Sequence, residues 1–82
     1  MVYRELLKKL TKFGYGQVSR MTRGSYDMAS IGKPSEVVYP WAFRSYPVIL
    51  EDDLDSVIDE EIIEGLLRWA DIDKAEFDGP VI

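Results

Sequence analysis

The stretch QVSRMTRGSYDMASI, residues 17–31, decides the fold because two alternating segments flank a turn within it. Side chains of residues 17–22 and of residues 26–31 alternate in character, which is the period of a β-strand. The sequence RGS at 23–25 separates the segments, and glycine followed by serine favours a tight turn. The sequence therefore predicts an antiparallel β-hairpin, with Tyr26 as the first residue of its second strand.

Two helices are predicted on either side of this hairpin. Residues 3–13 carry an apolar stripe at helical spacing, formed by Tyr3, Leu6, Leu7, Leu10 and Phe13. A second stripe begins after Asp59, a suitable N-cap, and is formed by Ile62, Ile63, Leu66, Leu67 and Ala70. The sequence DKAE at 73–76 resembles a capping box, so a final short turn is expected to hold Phe77 against the body.

A third strand is predicted at 36–39, the sequence EVVY, ended by Pro40. The sequence YPVIL at 46–50 could form a fourth strand, at an edge because of its proline. The predicted fold class is α+β, with the order α-β-β-β-α, an antiparallel three-stranded sheet and two helices on one face. One domain covers 1–77, with an inserted aromatic and acidic segment at 41–57, and residues 78–82 form a tail.

Composition and charge limit the chemistry. The 82 residues include no cysteine and no histidine, which excludes disulfides and the usual zinc sites. The acidic run at 51–61 lacks calcium-loop spacing, so no metal or cofactor is predicted. Residues 1–44 hold eight basic and three acidic side chains, whereas residues 45–82 hold two basic and twelve acidic ones. Two interpretations stay open: a polyanion-binding face beside an acidic one, or neutralisation within the molecule.

Four segments resemble the HicA-type toxins of bacterial and archaeal toxin–antitoxin pairs. They are YRELLKKLTKFGY, RGSY, VVYP and LLRWADIDKAEF, and together the similarity covers residues 2–40 and 57–77. The resemblance implies a double-stranded-RNA-binding-domain-like fold and a metal-free mRNA interferase without a cofactor. It also implies a partner antitoxin that blocks the active site.

One departure from the family concerns catalysis, because the family's catalytic histidine aligns with Tyr26. Metal-free RNA cleavage needs a base for the 2′-hydroxyl proton and an acid for the leaving oxygen. Free tyrosine has a pKa near 10, so it is a poor base at neutral pH. The leading prediction is thus a HicA-like RNA-binding protein without activity. The alternatives are an active ribonuclease using Tyr26 with Arg20, Arg23 or Lys33, and a protein-interaction module on the same fold.

RNA contact is predicted through the basic N-terminal half, and it is expected to be weak because the whole chain is acidic. The candidate RNA-binding residues are Lys8, Lys9, Lys12, Arg20, Arg23, Ser25 and Lys33. A second departure from the family is the long segment between Pro40 and Ile58. We hypothesise that its acidic part, residues 51–59, lies over the basic face and mimics RNA.

Partner contact is predicted at Trp41, Phe43 and Tyr46, which either cap the core or form a patch for another chain. A sheet edge here could pair with a second copy, giving a homo-oligomer, or with an antitoxin-like protein. The amphipathic start and the lack of a long apolar run predict a soluble, cytoplasmic protein that does not bind membranes.

Overall fold

The computed structural model describes residues 1–36 and 44–79. Its longer elements are α1 (Tyr3–Thr11), β1 (Gly16–Arg23), β2 (Tyr26–Gly32), β3 (Tyr46–Leu50), α2 (Glu60–Ala70) and α3 (Lys74–Phe77). Short 3₁₀ turns lie at Pro34–Glu36 and Asp53–Asp55. The predicted α+β class with a three-stranded antiparallel sheet is confirmed.

The predicted hairpin is formed by β1 and β2. The two strands pair from Gly16 opposite Gly32 to Arg23 opposite Tyr26, with one irregularity between residues 17 and 19. Gly24 has a φ of +61°, the positive value that a two-residue hairpin turn of type II′ requires at its first position. The turn and strand positions are therefore those that the alternating pattern predicted.

The third strand of the described sheet is β3, at 46–50, in antiparallel pairing with β2. The prediction for 36–39 was wrong at Glu36, which lies in a 3₁₀ turn, and residues 37–39 lie outside the described part of the chain. Val48 and Leu50 are buried beside β2, which favours this segment as its neighbour. Pro47 is tolerated because β3 is an edge strand of the sheet as described.

One apolar core joins the sheet to both long helices. Its strand residues occupy alternate positions of β2 and β3, so they share one face of the sheet. The buried residues are Tyr3, Leu6, Leu10, Ala29, Ile31, Val48, Leu50, Ile58, Ile63, Leu66, Leu67 and Phe77. The opposite face carries Tyr26 and Met28 and is called the open face below.

The ends of the helices differ slightly from the predicted ones. Helix α1 ends at Thr11, two residues before the predicted end, and Gly14 turns the chain with a φ of +81°. Asp59 occupies the N-cap position of α2 without a side-chain capping bond. Asp73 does cap α3, since its carboxylate accepts from the backbone N–H of Ala75 at 3.2 Å. Across residues 1–36 and 44–79, none of the helices is both long and apolar enough to cross a membrane.

Candidate nucleic-acid interface

Tyr26, the candidate catalytic residue, lies at the hairpin turn. Its side chain belongs to the open face and is 38% exposed. Arg23 lies directly opposite it on β1, and the Arg23 Nε donates to the Met21 sulfur at 3.3 Å. Ser25 occupies the turn between them. The structure thus brings Arg23, Ser25 and Tyr26 together.

The carboxylate of Glu51, which sequence reasoning did not select as a site residue, lies at the same end of the sheet as Tyr26. Leu50, the last residue of β3, pairs with Asp27, so Glu51 follows β3 at the end of the sheet where Tyr26 begins β2. Glu51 also lines a groove of about 250 Å³ with Ile49. Only the strand register could have revealed this neighbour, because Glu51 is 25 positions away in the chain from Tyr26.

Arg20 is on the other face of the sheet from Tyr26, because it pairs with the buried Ala29. Its guanidinium donates to the carboxylate of Asp27 and to that of Asp53, the latter at 2.5 Å. Arg20 and then Thr22, by donating to Asp27, hold the pKa of that carboxyl below its usual value. Arg20 is therefore neutralised by two carboxylates and does not accompany Tyr26.

Lys33 lies at the far end of the hairpin. It follows Gly32, which is six strand positions from Tyr26, a separation of about 20 Å. The Lys33 ammonium is 5.3 Å from the centroid of the Tyr15 ring and 3.9 Å from a Glu36 carboxylate oxygen. This distance prevents Lys33 from acting on the same phosphate as Tyr26.

The outward side of α1 carries a row of cations. Arg4, Lys8 and Lys12 recur every four residues, so they line up on the side opposite the buried Leu6 and Leu10. They are called the α1 basic stripe below, and neighbours in it are about 6 Å apart along the axis.

Two members of the stripe are not neutralised. Among residues 1–36 and 44–79, neither Lys8 nor Lys12 forms an ion pair with a carboxylate. Lys12 donates instead to the backbone carbonyl of Glu76 at 3.3 Å. Lys9 lies beside the stripe, with its ammonium 5.4 Å from the Phe77 ring centroid. The stripe therefore keeps two positive charges for an anionic partner.

The predicted RNA-binding set is divided by the fold. The α1 stripe lies on the helical side, Arg23 and Ser25 lie at the hairpin turn, and Lys33 lies at the opposite end of the sheet. Opposite faces of one sheet do not contact the same short segment of backbone. The stripe is thus the largest group of candidate cations that the structure brings together.

Of the predicted partner-binding residues, Trp41 and Phe43 lie outside the described residues. Tyr46 packs within the molecule, with its ring centroid 5.8 Å from that of Trp69 and its hydroxyl against Gly65. Trp69, which sequence reasoning missed, also stacks edge-on with Tyr15 at 5.9 Å. Sequence could have indicated Trp69, since it directly precedes Ala70, the last member of the apolar stripe of α2.

No group of three or more potential metal ligands occurs within residues 1–36 and 44–79. Comparisons with protein-family models, curated proteins and solved structures give no match for this chain. The resemblance to the HicA-type toxins therefore rests on the four sequence segments, and it is used below only as part of a proposal.

Proposed function

We propose that the chain is a HicA-like RNA-binding protein of the toxin–antitoxin type that has lost ribonuclease activity. The observation that carries the proposal is the α1 basic stripe, with Lys8 and Lys12 facing outward and not paired with a described carboxylate. Ammonium groups at this spacing can contact successive phosphates without reading the bases. The described order of one helix, three strands and then helices is also the one that the resemblance implies, with the third strand at 46–50 and not in the VVYP segment.

Loss of catalysis is supported by the surroundings of Tyr26. Arg20, one of its three predicted helpers, is on the other face of the sheet and is paired with Asp27 and Asp53. Lys33, another, lies about 20 Å away along the strand. General acid–base help is typically worth about 10² to 10⁴ in rate, and tyrosine supplies little of it at neutral pH.

Charge reversal of the stripe tests the RNA-binding proposal. Binding of a fluorescent 20-base-pair RNA is measured by anisotropy in 50 mM salt for the wild type and for Lys8→Glu/Lys12→Glu. We expect the double variant to bind at least about tenfold more weakly, because it loses two phosphate contacts and adds two repulsions.

The matched control is Arg68→Glu/Lys74→Glu, which makes the same change in net charge with the two basic residues of the acidic half. We expect it to weaken binding less than about threefold, since Arg68 and Lys74 lie on α2 and α3 and not in the α1 basic stripe. Equal losses in the two double variants would contradict binding through α1. Thermal melts of both variants verify that they fold.

A second candidate function, metal-independent ribonuclease activity, is favoured by one observation. Arg23 lies opposite Tyr26 and Glu51 lies at the same end of the sheet, so the two would be the phosphate contact and the carboxylate base of such an enzyme. Cleavage of a labelled RNA by the wild type, Tyr26→Phe and Glu51→Gln decides between the two proposals. We expect equal background cleavage in all three. Wild-type cleavage that both variants abolish would establish the enzyme instead.

The interaction module remains the third candidate. Met21 and Ile49, both on the open face, are 53% and 52% exposed, and such apolar surface suits a protein partner. A pull-down that returns a protein and no RNA would favour this function. An antitoxin-like partner and a homo-oligomer remain predictions.

A further inference from the structure

The acidic turn between β3 and α2, residues 51–59, is attached to the N-terminus by backbone hydrogen bonds. The N–H of Tyr3 donates to the carbonyl of Ser56, and the N–H of Ile58 donates to the carbonyl of Met1, both at 2.8 Å. The Ser56 hydroxyl accepts from the N–H of Asp52 at 2.7 Å, and Ser56 is 3% exposed. The turn is therefore fixed in place beside the start of α1.

Two carboxylates of this turn meet arginines from the basic half of the chain. Asp53 has a φ of +50°, an uncommon conformation for a residue with a side chain, and its carboxylate accepts from Arg20. Asp55 is 3.4 Å from the guanidinium of Arg4. The acidic segment thus pairs with these two arginines, while its mimicry of RNA stays a hypothesis. Lys8 and Lys12 have no such pairing among the described residues.

The two arginines are linked through the acidic turn, and one of them lies beside an exposed lysine. Arg4 is the first member of the α1 basic stripe and lies one helical turn from Lys8. Asp53, the partner of Arg20, is two residues from Asp55, the partner of Arg4, so one turn pairs with both arginines. One of the two arginines thus belongs to the α1 basic stripe, and the other is linked to it through the same acidic turn.

We propose that Asp53 and Asp55 compete within the molecule with RNA phosphates for Arg20 and Arg4, and so limit RNA affinity. The inference rests on the proposed function. Carboxylate and phosphate oxygens accept the same charge-assisted bonds from guanidinium groups. Because the turn is fixed by its backbone, its carboxylates stay beside the arginines at high effective concentration.

The test removes the two charges and keeps the side-chain shapes. Asp53→Asn/Asp55→Asn is compared with the wild type in the same anisotropy assay. Asparagine tolerates a positive φ as aspartate does, so the backbone of the turn is retained. We expect about tenfold tighter binding at 50 mM salt and a salt dependence steeper by at least about one phosphate contact, that of Arg4, because Asp27 still pairs with Arg20.

A matched control separates local release from a change in net charge. Glu60→Gln/Glu64→Gln also removes two negative charges, but these carboxylates pair with Lys74. We expect less than about threefold tighter binding for this control. Melting curves of both variants verify folding, and Asp55→Asn alone serves if the double variant is unstable.

The outcomes separate the two proposals. If the wild type binds RNA and Asp53→Asn/Asp55→Asn binds no tighter than the control, the competition is wrong and RNA binding stands. If none of the proteins binds RNA at 50 mM salt, the proposed function and the inference both fail.

Discussion

Substitution of Gly65 by alanine tests whether Tyr46 is a packing residue of this fold. Alanine in a helix interior is favoured over glycine by about 1 kcal/mol. In α2, however, a Cβ at residue 65 would overlap with the Tyr46 hydroxyl oxygen. The ring cannot move freely, because it packs against Trp69 at 5.8 Å. Forced overpacking of this kind costs about 1 to 3 kcal/mol, so Gly65→Ala should destabilise by up to about 2 kcal/mol.

Removal of the Tyr46 hydroxyl should reverse the sign of the stability change that Gly65→Ala causes. In Tyr46→Phe, the nearest ring atom to the new Cβ is Cζ at 3.5 Å, which is ordinary contact. Gly65→Ala should then stabilise by the full propensity gain of about 1 kcal/mol. The four proteins form a double-mutant cycle whose coupling energy should be about 1 to 3 kcal/mol.

Urea unfolding followed by circular dichroism gives the free energy of unfolding for each of the four proteins. Additivity within about 0.5 kcal/mol would refute the reasoning, because it would mean that Tyr46 does not approach Gly65. In that case Tyr46 would be available to a partner, as the sequence alone allowed.

Three further predictions concern stability. Burial raises the pKa of Tyr3 to about 12, whereas an unfolded tyrosine ionises near pH 10. The wild type should therefore lose up to about 3 kcal/mol of unfolding free energy between pH 10 and 12. Urea titrations of Tyr3→Phe should lack that loss. Arg20 lowers the pKa of Asp27, so the ionised carboxylate stabilises the folded protein at pH values above the pKa of an unfolded aspartate. This stabilisation is lost as the pH falls through the pKa of Asp27 in the folded protein. The melting temperature of Asp27→Asn should therefore fall less in acid than that of the wild type. Gly32→Ala should cost about 2 kcal/mol or more in urea unfolding, because its Cβ would lie 2.7 Å from a backbone carbonyl oxygen, whereas Gly16→Ala, with its nearest atom at 3.8 Å, should not. If Tyr3→Phe or Asp27→Asn showed the same pH dependence as the wild type, or Gly32→Ala the same stability as Gly16→Ala, the contact behind that prediction would be contradicted.

Local sequence patterns were sufficient for the hairpin and the helices. Alternation in residues 26–31 puts Ala29 and Ile31 on the same face of the strand, and the structure buries both; the capping pattern assigned Asp73 as the N-cap of α3. These features depend on neighbours within a few residues, which a single sequence contains. The separation of Lys33 from Tyr26 also follows from the length of β2 once that strand is known.

Contacts between distant residues were not available from the sequence. Residues 46–50 pair with β2 because this position buries Val48 and Leu50 in the core, and a single sequence does not show that distant packing. The pairing of Arg20 with Asp53 joins residues 33 positions apart, and no local pattern specifies it. The same holds for the position of Glu51 just beyond the end of β3, because strand register is a property of the folded sheet.

The salt dependence of RNA binding tests the central claim most directly. The observed binding constant is measured for the duplex RNA between 25 and 200 mM salt, in the wild type and in Lys8→Gln/Lys12→Gln. A plot of log binding constant against log salt should have a slope of about −2 for the wild type, from two phosphate contacts, and a slope near zero for the variant. A wild-type slope near zero, or the same slope in both proteins, would contradict RNA binding through the α1 basic stripe.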